Sequence, residues 1–226
     1  MKLTDEKTNH IMVDIETWGL SADSVICSIG AVCFNIKDGL KDEFYVENLS
    51  IKEQMALFNR TVHPDTIKWW IKQDKEAQKC FEKDNGYGEG LIQFHSWINQ
   101  RISNVEFYDP QDNGYKMKNP YYMWSKSSFD FNVLDHALRT YPIGIPWNYK
   151  RVMDLRTIYE LINSDVKYEG VKHNALDDAK NQALQAIDIL RRFQQTCDLS
   201  TTFVASHGCF SGDNCPTPEY KITISK

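Results

Sequence analysis

The run Val25–Phe34 (VICSIGAVCF) is almost wholly apolar, and no other stretch constrains the fold so tightly. A strand that alternates apolar and polar residues can leave one face in water. A strand apolar on both faces must be buried on both. At about half of the ~20 apolar residues that a membrane span needs, the run does not cross a bilayer. Upstream, His10–Glu16 (HIMVDIE) reads as another strand. Ile11, Val13 and Ile15 point one way, and Met12, Asp14 and Glu16 the other. Thr17–Leu20 turns the chain. Asp38-Gly39 is a hairpin signal, with Lys41–Val46 as the returning strand.

Helical spacing follows this strand block. Pro64-Asp65 opens a segment with Ile67, Trp70 and Ile71 on one stripe, and Asn85–Gly88 (NGYG) breaks it. A second helix is predicted from Glu89 to Ile102, and a long polar loop over 103–119. Tyr121–Trp124 reads as a short strand and Phe129–Leu138 as a helix stopped by Pro142–Pro146. Arg151–Asp154 reads as a strand running into a helix at Leu155–Ile162. The clearest helix is Ala175–Phe193, where Leu176, Ala179, Ala183, Ile187 and Leu190 recur every three or four residues. Asp177 and Asp178 in its first turn and Arg191-Arg192 in its last complement the helix dipole. From Thr196 the composition shifts to Ser, Thr, Gly, Cys and Pro. We read 1–195 as the folded domain and 196–226 as a polar tail or arm, with a terminal strand at Tyr220–Ile224. Strands followed by alternating helices and short strands predict an α/β fold with a mixed sheet.

The chain has 226 residues and a net charge of −5. That acidity argues against a protein that coats long nucleic acid through a basic face. It leaves room for a small metal site that takes one phosphate at a time. The N-terminal MKLTDEKTNH has no apolar core of a secretory leader, so the expected location is the cytoplasm, with no membrane partner. Six cysteines are scattered, none with the two-residue gap of a zinc knuckle. Cys27 and Cys33 read as small buried hydrophobes. Cys209 and Cys215, near His207, are weaker candidates for a metal.

The acids carry the chemistry. Asp14 and Glu16, two apart on a strand, share one face. Two anions side by side in a partly buried place repel each other, and a divalent cation between them resolves the conflict. Two surface acids on an edge strand fit the pair equally well. His173 and Asp178 are five apart, which on one helix would set them about 140° apart. They can face a common ligand only if His173 lies in the loop before the helix and Asp178 in its first turn. A loop histidine followed by dipole-complementing acids is the plainer reading. Asp130 opens a helix and alone reads as a first-turn acid. Asp154 reads as a structural acid at a strand end. Together these groups sit at strand ends and helix starts, where α/β folds place their sites.

With Asp14-Ile15-Glu16-Thr17, Ser128-Phe129-Asp130 and His173-x-Ala175-x-x-Asp178-Ala179 in that order, the chain resembles the DEDD superfamily of 3′–5′ exonucleases. The histidine five before the last Asp marks its DEDDh branch, which includes DnaQ-like and RNase T-like enzymes. Thr66–Trp70 (TIKWW), Ser127–Phe131 (SSFDF) and Asp154–Thr157 (DLRT) give a closer likeness to phage exonuclease A. Mycobacterial-type RNase T-like exoribonucleases resemble it too. The likeness covers roughly residues 8–195.

The resemblance implies a ribonuclease H-like fold: a central mixed five-stranded sheet flanked by helices. It implies that Asp14, Glu16 and Asp178 hold one divalent ion, and that Asp14 and Asp130 reach a second. His173 would be the general base. Carboxylate ligands suit Mg²⁺ or Mn²⁺, and two ions about 3.5–4 Å apart can serve both attack and leaving oxygen. An ordinary histidine pKa of about 6.5 suits a base near neutral pH. Thr17, Trp18, Gly19 and Phe129 are expected to meet the terminal nucleotide. Of Trp69 and Trp70, adjacent on a helix, one is expected in the core and the other on a base. The implied reaction releases 5′-mononucleotides from the 3′ end of a single strand. The phage-like motifs tilt it towards DNA, with RNA close behind. RNase T-like relatives often dimerise, so a homodimer is admitted, though no stretch marks an interface. The rival readings are a ribonuclease H-like endonuclease, which needs no histidine at 173, and a non-catalytic module that binds nucleic acid or a polymerase. Such a module would usually lack one of the acids.

Overall fold

The apolar run forms β2 (Ile26–Asn35), and every one of its residues is buried. It pairs antiparallel with β1 (Asn9–Thr17) on one side and β3 (Gly39–Val46) on the other. This computed structural model describes residues 3, 8–102, 106–109, 114–117 and 120–205. The terminal strand expected at 220–224 and the Cys209, Cys215 and His207 group lie outside them. After helices α1 (Ile51–Phe58), α2 (Pro64–Trp70), α3 (Lys75–Gln78) and α4 (Tyr87–Arg101) come two short strands, β4 (Glu106–Asp109) and β5 (Gly114–Met117). Then β6 (Tyr121–Ser125) pairs parallel with β1. It is followed by α5 (Ser128–Thr140), β7 (Val152–Asp154), α6 (Leu155–Leu161) and α7 (Ala175–Ala205). The sheet order is β3-β2-β1-β6-β7, with β7 parallel to β6.

The alternation along β1 separates two cores. Ile11, Val13 and Ile15 pack with Leu91, Phe94 and Leu134 of α4 and α5. Met12 packs on the opposite face with Ala179, Ala183 and Leu190 of α7. Small residues along α7 let it lie close to the sheet. The result is the five-stranded mixed sheet with helices on both faces that the resemblance implied.

Two expectations are corrected. The segment expected as a long loop over 103–119 contains β4 and β5, paired antiparallel as Glu106↔Met117 to Asp109↔Gly114. Each strand is only four residues long in a polar segment, too short to show a clear alternation. The last helix runs on past Phe193 to Ala205. Among the described residues no helix is long and apolar enough to cross a membrane.

Candidate active site

Asp14 and Glu16 leave β1 on the face that α7 covers, in line with Met12. Across the ladder Asp14 pairs with Gly30 of β2. There the first turn of α7 comes down onto the strand: a Cβ at Gly30 would lie 2.2 Å from the backbone carbonyl of Ala175. Only glycine allows this approach, and it brings Asp178, in the same turn of helix, to the two β1 acids. One ligand atom each from Glu16, His173 and Asp178 lies within 4.8 Å of the others.

The loop before α7 is built to aim His173. Asn174 caps the helix, its Oδ1 accepting from the backbone N–H groups of Leu176 and Asp177 at 3.1 Å. Gly170 has φ +98, and the Val171 N–H donates to Asp177 Oδ2 at 2.9 Å. His173 itself has φ +63, a left-handed conformation uncommon away from glycine. In that conformation its N–H donates to Asp178 Oδ2 at 2.9 Å. The Tyr168 hydroxyl stands 2.9 Å from both Asp178 Oδ1 and the Val171 carbonyl. Burial, and next the hydrogen bond to Asp178, push the Tyr168 phenol upward, so it remains a neutral donor.

Asp130 is buried in the first turn of α5, whose N-cap is Ser127. Its Oδ1 accepts from the Ile15 N–H at 3.3 Å, which ties it to β1 between Asp14 and Glu16. Gln182, one turn beyond Asp178 on α7, donates from Nε2 to Asp14 Oδ1 at 2.7 Å. Its own Oε1 is buried without a partner among the described residues. Asp154 caps α6 through the Thr157 N–H at 3.1 Å.

These carboxyls crowd one another. Burial first, then the charges of Asp130 and Asp178, hold Asp14 well above the usual carboxylate range. Burial first, then Asp14, does the same to Glu16. Asp130 is raised to about 7, chiefly by burial. Such a cluster must either bind protons or bind a cation. Its donors are carboxylate oxygens with one imidazole beside them, a set that suits a hard divalent ion.

The acids line a cleft of about 650 Å³, rimmed by Lys126, Arg156 and Lys172. Ile15, Glu16 and Phe129 also border an adjoining cleft of about 510 Å³, walled by Thr17, Leu20, His63 and Trp69. Trp70 is buried, with its indole N–H on the Thr17 carbonyl at 2.9 Å. Trp69 is 40% exposed and meets the His173 ring edge-on at 4.8 Å. Thr17 and Phe129 therefore border this space, although the Thr17 hydroxyl donates to the Gly19 carbonyl at 2.7 Å. Trp18 and Gly19 depart from expectation. The turn folds back, with Trp18 N–H on the Val25 carbonyl at 2.9 Å. The Trp18 ring packs on Phe81 at 4.7 Å, and Gly19 is buried against Ser24.

Sequence reasoning missed Gln182, Tyr168, Lys126 and Arg156. Gln182 carried a signal, standing four residues after Asp178 and so on the same helix face. Tyr168 carried none, since a tyrosine in a polar loop has many uses.

A family model described as the Rv2179c-like 3′–5′ exoribonuclease domain matches residues 9–190. No curated protein matches. Among solved structures, exonuclease I superposes with a TM-score of 0.54 at 13% identity over 86% of this chain and 43% of that one. The E. coli enzyme in complex with a dT13 oligonucleotide gives 0.53 at 13%, over 86% and 44%. Its zinc-bound complex with single-stranded DNA gives 0.53 at 14%, over 86% and 43%. This chain thus spans under half the length of exonuclease I. The chain belongs to the Rv2179c-like 3′–5′ exoribonuclease domain family.

Proposed function

We propose that the protein removes 5′-mononucleotides from the 3′ end of single-stranded RNA at a divalent-metal site made by Asp14, Glu16, Asp130 and Asp178. One observation carries this reading: carboxylates from β1, α5 and α7 converge with His173 in one cleft beside an aromatic-walled cleft large enough for a nucleoside. The family description supports RNA. DNA is the second reading, supported by the fold shared with an exonuclease seen with dT13.

The four carboxylates would hold two Mg²⁺ or Mn²⁺ ions, which when bound relieve negative charge on the phosphate and the leaving oxygen. The chain's own groups do the rest. Gln182 holds one Asp14 oxygen, the Ile15 N–H holds Asp130, and Tyr168 with the His173 N–H holds Asp178. Fixed carboxylates keep the geometry from reorganising during the reaction. The His173 imidazole takes the proton of the attacking water. The O–P bond to the penultimate 3′-oxygen breaks, and that oxygen leaves with the shortened strand. Trp69 and Phe129 bound the space for the departing nucleoside. The catalytic unit would end within α7 near residue 195, since Ile187, Ile189 and Leu190 are the last described side chains buried under the sheet.

The test is cleavage of 3′- and 5′-labelled oligonucleotides, RNA beside DNA, with Mg²⁺, Mn²⁺ or chelator. Release of 5′-mononucleotides from the 3′ end of RNA, stopped by chelator, is the expected result. Internal cuts, or activity that survives the chelator, would reject the reading.

A further inference from the structure

A third cleft, of about 260 Å³, opens off the catalytic one. Lys126 and Arg156 line both, so they form the ridge where the two meet. The fold sets them side by side. Ser125 at the end of β6 pairs with Asp154 at the end of β7, and the Arg156 N–H donates to the Lys126 carbonyl at 3.1 Å. Both side chains are exposed, and neither has an ion pair or hydrogen bond among the described residues. This sets Arg156 apart. The other six arginines all have a partner: Arg60 a carbonyl, Arg101, Arg139 and Arg192 a carboxylate, Arg151 a tyrosine and Arg191 a carbonyl. Lys126 and Arg156 are near enough to favour the charged forms of Asp14 and Asp130. They nevertheless stay out of contact with those carboxylates.

A strand whose 3′ end lies in the aromatic-walled cleft must leave the catalytic cleft by another route. One exit, of about 470 Å³, is lined by Asp74 and Glu76 against Lys172. A second, also among the described residues, carries Lys126 and Arg156 against Glu160, with Tyr159 on its wall. Phosphates carry one negative charge each, so the second exit, with two cations to one acid, suits them better than the first, where Glu76 is already paired with Lys79 and Asp74 stands against Lys172. On a chain of net charge −5, such local cations offset the repulsion that an approaching polyanion meets.

We infer that the strand 5′ of the scissile bond passes over the Lys126–Arg156 ridge into the third cleft, and that these two cations grip the phosphates next to the scissile one. The inference rests on the nuclease reading above. Arg156 offers a planar fork matched to two phosphate oxygens, and Lys126 a point charge.

The experiment measures binding by fluorescence anisotropy, with Mg²⁺ present, of a single-stranded tetranucleotide carrying a cleavage-resistant 3′ linkage. Cleavage of ordinary tetranucleotide and dinucleotide is followed in parallel. Lys126→Ala/Arg156→Ala should weaken tetranucleotide binding about ten- to a hundredfold. It should flatten the dependence of log K on log salt by about 1.4, at about 0.7 per phosphate contact on a single strand. The preference for tetranucleotide over dinucleotide should narrow, and Arg156→Lys should regain part of the loss. Replacing the penultimate phosphate by a neutral methylphosphonate should weaken binding to the unmodified protein. It should add nothing further in the double variant. Equal methylphosphonate losses in both proteins, or an unchanged salt slope, would overturn the strand path. Failure of the unmodified protein to cleave any oligomer would instead overturn the nuclease reading. Melting temperatures should match, because both side chains are exposed.

Discussion

Gly30→Ala tests how the first turn of α7 is seated, and through it how the acids meet. The added Cβ would lie 2.2 Å from the carbonyl carbon and oxygen of Ala175 and 2.3 Å from the Leu176 nitrogen. Ordinary contact begins at 3.4 Å, so the helix start must retreat by about 1.2 Å. The obstructing atoms are backbone, and no side-chain rotation relieves them. Gly30 does not have a left-handed φ, so the effect is purely steric. Overpacking of this kind costs about 1–3 kcal/mol. Asp178 rides in the same turn, and a displacement of about 1 Å at reacting groups costs about 10² in rate. Urea unfolding should therefore show the stability loss. Single-turnover cleavage of 3′-labelled RNA under saturating Mn²⁺ should show the rate loss in molecules that remain folded. An unchanged rate together with unchanged stability would refute the seating of α7 on Gly30.

Asp14→Asn should abolish cleavage yet raise the melting temperature of metal-free protein, because it removes one of several mutually repelling buried acids; a lower melting temperature would contradict the crowding argument. His173→Ala should slow cleavage by about 10²–10⁴-fold while retaining Mn²⁺ binding, read by single-turnover kinetics and calorimetry. His10 is fully buried between Phe34 and Tyr122, with its Nδ1 accepting from the Trp124 indole at 2.9 Å, and burial lowers its pKa to about 4. The unfolded chain takes that proton near pH 6.5 and the native chain only near 4. The contribution is therefore intact above 6.5 and about 3 kcal/mol is lost as pH falls to 4. His10→Gln should flatten that part of the urea-derived stability profile, and an identical profile would absolve His10. Truncation after Gln195 should leave cleavage intact, and loss of activity in a folded truncate would place the catalytic boundary further on.

The strands were legible because they obey simple periods. Val25–Phe34 had apolar residues on both faces and is buried on both, and the alternation in β1 assigned Met12 to the opposite side from Ile11 and Val13. Helix α1 was illegible because it inverts the usual pattern. It buries Gln54, whose side-chain amide bonds the N–H and C=O of Ile26 at 2.9 and 2.8 Å, and exposes Met55 and Leu57. Helix α3 is one short turn and offers no period to read. At the site, the order of the acids and histidine gave the candidates, but not what holds them. The approach of Ala175 to Gly30 and the bond from Ile15 to Asp130 join residues far apart in the chain, and no local spacing encodes them. Trp18 was drawn to the substrate by its nearness to Glu16. The fold-back of the turn sends its ring to Phe81 instead, while Trp69, from a distant helix, takes the exposed place.

Whether the four carboxylates share a pair of ions can be seen by anomalous diffraction from crystals soaked in Mn²⁺. Paired manganese peaks ligated by oxygens of Asp14, Glu16, Asp130 and Asp178, with His173 facing them, are the expected result. Manganese bound elsewhere, or none at these four carboxylates, would contradict it.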